Sequence, residues 1–156
     1  MTQTSIEQTA FTLFASGIKP AYISDESESG FQDLIEKYPY IYLNQRNVMF
    51  FKSEELKNNF VTRLDLVEPG SHEYHRIIGE MLGYPPQAVD FFTRCQEQPE
   101  LRAKKAAFRY CGIYFVGNVE QALDICYWLW KNVRIPMTNV EVEHLGVKYI
   151  ISPDKI

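Results

Sequence analysis

Residues 70–94, GSHEYHRIIGEMLGYPPQAVDFFTR, decide how the chain is read. Tyr74, Ile77, Ile78, Met81 and Leu82 follow the i, i+3, i+4, i+7, i+8 spacing of a helix with one apolar stripe. His72, Glu73, Arg76 and Glu80 fall on the opposite side. Gly83 is placed to stop that helix in the left-handed region. Pro86 suits the first position of a second helix, where its missing N–H costs nothing. The stretch therefore predicts a helical hairpin that turns at Leu82-Gly83-Tyr84-Pro85. Gly79 lowers helix propensity by about 1 kcal/mol relative to Ala, so its presence predicts close packing against a second backbone. Burial of the five stripe residues would contribute on the order of 1.5–3 kcal/mol each.

On the N-terminal side, residues 5–14 predict a helix with Ile6, Ala10, Leu13 and Phe14 on one face and Gly17 as its stop. The acidic run 24–30 reads as a surface loop or a helix entry, and 31–37 as a short helix ended before Pro39. Residues 40–43 and 48–51 are apolar and β-prone. Asn44–Asn47 between them suits a hairpin turn, because Asn tolerates left-handed backbone. Ser53 is a candidate N-cap with Glu54 and Glu55 in the first turn behind it. The alternation at 63–67 reads as an edge strand leading into the hairpin.

On the C-terminal side, Pro99 opens a helical stretch expected over 100–107, and RYCGIYFV at 109–116 reads as one apolar strand. Asn118 and Gln121 fit the two ends of a capping box. The helix behind them places Ala122, Leu123, Cys126, Leu129 and Trp130 on one face, and Pro136 marks its exit. Residues 140–143 and 147–151 alternate as two strands, with Leu145-Gly146 as their turn.

The 156 residues suit a single domain, 1–156, large enough to bury a core, and no linker divides them. Hairpins mixed with helices predict an α+β fold: a mostly antiparallel sheet of about five strands packed with helices, plus the central helical hairpin. A hydrophobic content of 46% excludes wholesale disorder. No segment reads as a signal peptide or a membrane span, and the odd count of 3 Cys, with no CxxC, signals neither a disulfide framework nor a zinc knuckle. Cys111 and Cys126 read as core thiols and Cys95 as more exposed. A reducing cytoplasm is the expected compartment.

The two histidines of the hairpin, His72 and His75, lie three apart and share a helix side. With Glu68 they form the candidate set for catalysis by a small metal-dependent or His/Glu-based hydrolase. The H-E-x-x-H zinc helix needs four-residue spacing, so His72-Glu73-Tyr74-His75 is one residue short, and no metal is assigned. There is no G-x-S-x-G elbow, P-loop or dinucleotide fingerprint, and no cofactor is implied.

GEMLGYPPQAVDFFTR resembles the helix-turn-helix family, with Gly79, the turn glycine Gly83 and Val89 in register and Ile78, Leu82 and Phe92 at packing positions. The resemblance implies a DNA-binding regulator whose second helix turns Gln87, Asp90 and Phe91 to the groove. Gln can read adenine, whereas Asp90 would meet phosphates. Pro85-Pro86 departs from the family's turn. The segment also resembles uncharacterised prokaryotic domains with a Leu-Gly-Tyr-Pro turn, some with a cysteine pair where this chain has Gln87 and Ala88. A net charge of −4 disfavours nucleic acid and anionic membranes as partners. Aromatics at 14%, together with the rigid Tyr-Pro-Pro corner, point instead to a protein partner. The expectation is a non-enzymatic binding or regulatory protein acting through Tyr84, Gln87 and Phe91; no oligomeric state is read from the sequence.

Overall fold

A computed structural model describes residues 10–133, 135 and 137–153. Residues 5–9 of the expected first helix, and Pro136, lie outside the described residues. The fold is α+β, as the element order predicts. The single sheet of about five strands is corrected to two antiparallel sheets, of three and four strands.

The first sheet comprises β1 (Ala21–Asp25), β2 (Tyr40–Tyr42) and β3 (Asn47–Phe51), with β3 in the middle. Val48 and Phe50 pack with Phe14 of α1 (Ala10–Ala15) and Leu34 of α2 (Phe31–Lys37). Met49 and Phe51 pack on the other face, with Phe60 of α3 (Glu54–Asp65) and Ile77 and Met81 of α4 (His72–Met81). A strand covered on both faces needs a continuous apolar run, which VMFF supplies. The turn before it is closed by Asn44, whose Oδ1 accepts from the N–H groups of Arg46 and Asn47 at 2.9 Å each. The Ser53 cap is present, its side chain accepting from Leu56 N–H at 3.2 Å.

Two expectations in this half are corrected. Ser24 and Asp25 belong to β1 rather than to a loop; β1 is short, and only two of its five residues are fully buried, so its pattern is weak. Residues 63–65 complete α3 instead of starting an edge strand. The alternation there does not track burial, since Leu66 is 81% exposed. Extending an existing helix adds a hydrogen bond for each residue fixed, whereas an isolated edge strand has no such neighbour.

The second sheet comprises β4 (Lys105–Tyr110), β5 (Ile113–Asn118), β6 (Val140–His144) and β7 (Val147–Ile151), in the order β5-β4-β6-β7. The expected helix over 100–107 is corrected to a 3-10 segment, Pro99–Lys104, followed directly by β4. The single strand expected over 109–116 is a hairpin instead. It turns at Cys111, whose φ of 55° is unusual for a residue with a Cβ. The hairpin of β6 and β7 is as read, with Leu145 and Gly146 at φ 52° and 79°. Asn118 caps by accepting from Glu120 N–H at 2.8 Å, but the first turn, Val119–Gln121, is 3-10, so no capping box opens α6 (Ala122–Asn132). Ile125, Cys126 and Leu129 of α6 bury against Phe108, Phe115, Val140 and Val142. Leu123, expected on that face, is 54% exposed.

α5 (Pro86–Glu97) runs against α4 and against β5, which makes the helical hairpin the join between the two sheets. Tyr84, in its turn, packs on the core clusters of both. Gly83 has the left-handed φ of 85° expected of a helix stop, and Tyr84 N–H donates to Gly79 O at 3.0 Å. The close approach inferred at Gly79 is real, but it is to a side chain rather than a backbone. A Cβ there would lie 2.4 Å from Cγ2 of Val89 on α5. Valine in a helix has one strongly preferred rotamer, so it cannot swing aside cheaply. Gly79→Ala is therefore expected to destabilise the fold by about 1–2 kcal/mol, the strain of overpacking exceeding the gain in helix propensity. Urea denaturation of Gly79→Ala and of Gly79→Ala/Val89→Ala checks this. In the double variant the cost of Gly79→Ala should disappear.

Candidate functional site

Where α4, α5 and β5 meet, they leave a cleft of about 280 Å³. Ile78 forms one wall from α4, and Val116 the other from β5. Tyr84 closes one side, and Phe92 and Tyr114 stand in the walls while remaining 38% and 56% exposed. Each position follows from local structure. Tyr114 alternates outward between Ile113 and Phe115, whose side chains face the core. Phe92 follows Ala88 by one turn and shares its side of α5, which lines the cleft, whereas Phe91 lies 100° round the helix.

The polar groups at the cleft are few. The Tyr84 ring tilts against Phe115 with centroids 5.7 Å apart, and burial raises its hydroxyl above the ordinary tyrosine pKa. It remains neutral at physiological pH, able to donate or accept. His75 lines the cleft with its ring edge-on to Tyr74 at 5.6 Å and to Phe92 at 6.5 Å. The walls are otherwise apolar. Their chemistry suits an apolar body with one hydrogen-bonding end, and the volume falls at the lower edge of the roughly 300–1,000 Å³ of ligand sites.

The residues singled out from sequence are dispersed. His72 does not join His75 in a pocket; its Nε2 lies 2.8 Å from Oε1 of Glu97, at the far end of α5. That pair is solvent-exposed and fastens the open ends of the hairpin, a contact worth well under about 1 kcal/mol at the surface. Glu68 sits exposed in the loop before α4, where its backbone carbonyl accepts from Ser71 N–H at 3.1 Å. Among the described residues no group of three His, Cys, Asp or Glu is placed to hold a metal. Of the three proposed contact residues, Tyr84 lines the cleft, and Gln87 is half-buried in the first turn of α5, outside the lining. Phe91 is corrected: it is 2% exposed and belongs to the interior, while Phe92, assigned to packing by the helix-turn-helix register, takes the outward position. Cys95 is likewise buried rather than exposed, Cys111 lies in the β4–β5 turn, and all three thiols are free.

Three cleft residues carry other expectations in the sequence: His75 as a catalytic candidate, Phe92 as a packing position and Tyr114 within an apolar strand. Reading Cys111-Gly112 as a turn would have exposed Tyr114 as an outward aromatic beside the hairpin. Nothing in the linear pattern separates Phe91 from Phe92, since adjacent helical positions differ by only 100° and the register rests on α5 being squeezed between two neighbours. No helix among the described residues is long and apolar enough to cross a membrane. Compared with protein-family models, curated proteins and solved structures, the chain matches none.

Proposed function

We propose that the protein is a non-enzymatic binding protein that receives an apolar side chain of a protein partner in the cleft between α4, α5 and β5. The observation that carries this reading is the cleft itself: apolar walls, with the rings of Phe92 and Tyr114 exposed in them. Exposed aromatics around a small concave site resemble the anchor pockets where interface energy concentrates. The helix-turn-helix alternative receives less support. α5 is flanked by α4 and β5, and Asp90 and Arg94 face each other at 3.6 Å. A groove-reading helix needs a projecting face with free donors.

A photo-crosslinking residue placed at Tyr114 in cells tests the proposal, with the same residue at Leu66, 81% exposed on α3's C-terminal end, as the background. Position 114 should capture a discrete protein adduct that Leu66 does not. Phe92→Ala should weaken binding of the captured partner about 5- to 30-fold, corresponding to 1–2 kcal/mol. Equal labelling from both positions would remove the basis for the reading.

A further inference from the structure

The two edges of the four-stranded sheet are treated differently. β5 is flanked by α5, whereas among the described residues β7 meets β6 and makes no other extensive contact with an element of the fold. An open edge strand is normally blunted by shortness, proline, a bulge or charged side chains, lysine above all. β7 reads VKYII: no proline, regular pairing with β6 along its whole length, and one charge, Lys148. It is also apolar where it is bare, with Val147 65% and Ile150 59% exposed.

We infer that β7 is the interface of a two-fold symmetric dimer, in which β7 pairs antiparallel with β7 of a second copy and the sheets join into one of eight strands. The hairpin fixes which groups are free to do this. Leu145 and Gly146 form a two-residue turn with both φ positive, so the flanking pair, His144 and Val147, exchanges hydrogen bonds. Such pairs alternate along the ladder. Val147, Tyr149 and Ile151 therefore turn N–H and C=O toward β6, and Lys148 and Ile150 turn theirs outward.

That pattern is self-complementary about Tyr149. With the two-fold axis at this residue, Lys148 and Ile150 of one copy exchange hydrogen bonds with Ile150 and Lys148 of the other, four in all. Val147 then faces Ile151 of the second copy, and the only charge lies against an isoleucine. Moving the axis to Lys148 would set two ammonium groups opposite each other, which is destabilising. Moving it to Ile150 runs Val147 into Pro153, beyond the strand end, and shortens the ladder.

The neighbouring surface extends the same patch. Tyr149 shares the sheet face of Val142, its partner on β6, and that face is covered by α6 only in part. Tyr127 of α6 and Met137 beside it are 48% and 63% exposed. Covering Leu145, Val147, Tyr149, Ile150, Tyr127 and Met137 would remove on the order of 600 Å² from water on each copy, near the ~800 Å² per partner of a standard interface.

Sedimentation equilibrium of the full chain, with two variants, tests the dimer. The wild type should sediment at twice the 18.2 kDa chain mass at micromolar concentrations. Ile150→Pro removes an outward N–H without touching the β6–β7 ladder, so it should sediment as a folded monomer. In a Cys111→Ser background, Tyr149→Cys should form an intermolecular disulfide on mild oxidation, because the axis residue forms the close, non-hydrogen-bonded pair. Lys148→Cys should not. A wild type that is monomeric at 100-fold higher concentration overturns the inference, as does a dimer that survives Ile150→Pro. If Ile150→Pro fails to fold by circular dichroism, the cysteine pair decides: no crosslink at 149, or equal crosslinking at 148, sinks it.

Discussion

Phe108→Ala is expected to remove about 3–5 kcal/mol of stability, a large share of the roughly 5–15 kcal/mol that holds an ordinary domain folded. Phe108 is fully buried in β4, the strand that pairs with both β5 and β6, and its ring stacks parallel on Phe115 with centroids 5.4 Å apart. On its other side it fills the space left by the missing side chain of Gly117, where a Cβ would stand 3.0 Å from the Phe108 ring and 2.9 Å from Ile125 of α6. Truncation leaves a cavity between sheet and helix that strands held by two ladders cannot close. Urea titration should show a lower midpoint with an unchanged slope, and thermal unfolding a fall of about 6–20 °C. Tyr114→Ala, on the same hairpin but 56% exposed, should cost less than about 1 kcal/mol, chiefly from its stacking with Arg109. If the two variants lose equal stability, the core does not lie where β4 and α6 meet.

Phe108 also marks where the linear reading loses the chain. It lies between an expected helix and an expected strand, and the residues on both sides, KKAAFRY, carry no decisive period. Alanines and lysines favour helix locally, and only pairing with β5 and β6 makes them a strand. The hairpin turn beyond it uses Cys111 at positive φ, a residue that turn chemistry does not nominate. By contrast, 70–94 was legible because every local signal agreed: apolar stripe, stop glycine, proline at the start of the second helix. The β6–β7 hairpin was legible for the same reason, through strict alternation around Leu-Gly. The cleft was legible only through Tyr84. Its other residues come from α4, α5 and β5, and their convergence depends on α5 lying between helix and sheet, a tertiary fact without a local marker.

Lys19→Met is expected to raise stability at pH 7 by about 2–3 kcal/mol, an unusual sign for removing a charged residue. Lys19 is 4% exposed, its stem beside Gly83 and its ammonium 6.0 Å from the centre of the Tyr84 ring. Burial lowers its pKa from 10.5 to about 8, and no carboxylate offsets that among the described residues. A shift of this size corresponds to about 3 kcal/mol, partly compensated by the ring beneath the cation. The sign follows from proton counting. Between pH 8 and 10.5 the unfolded chain holds a proton on this amine that the folded chain has released, so wild-type stability gains with rising pH in that window. Below pH 8 both states are charged and the full burial penalty applies. The stability difference between Lys19→Met and wild type should therefore be largest and flat up to about pH 8, then shrink as pH approaches 10.5. Tyrosines remote from Lys19 titrate alike in both proteins and cancel in that difference. Urea denaturation of the pair at pH 7, 8.5 and 10 reads it directly. A gain that does not change with pH would mean that methionine simply packs better, and that the amine beside Tyr84 is not a strained charge at the join of the two sheets.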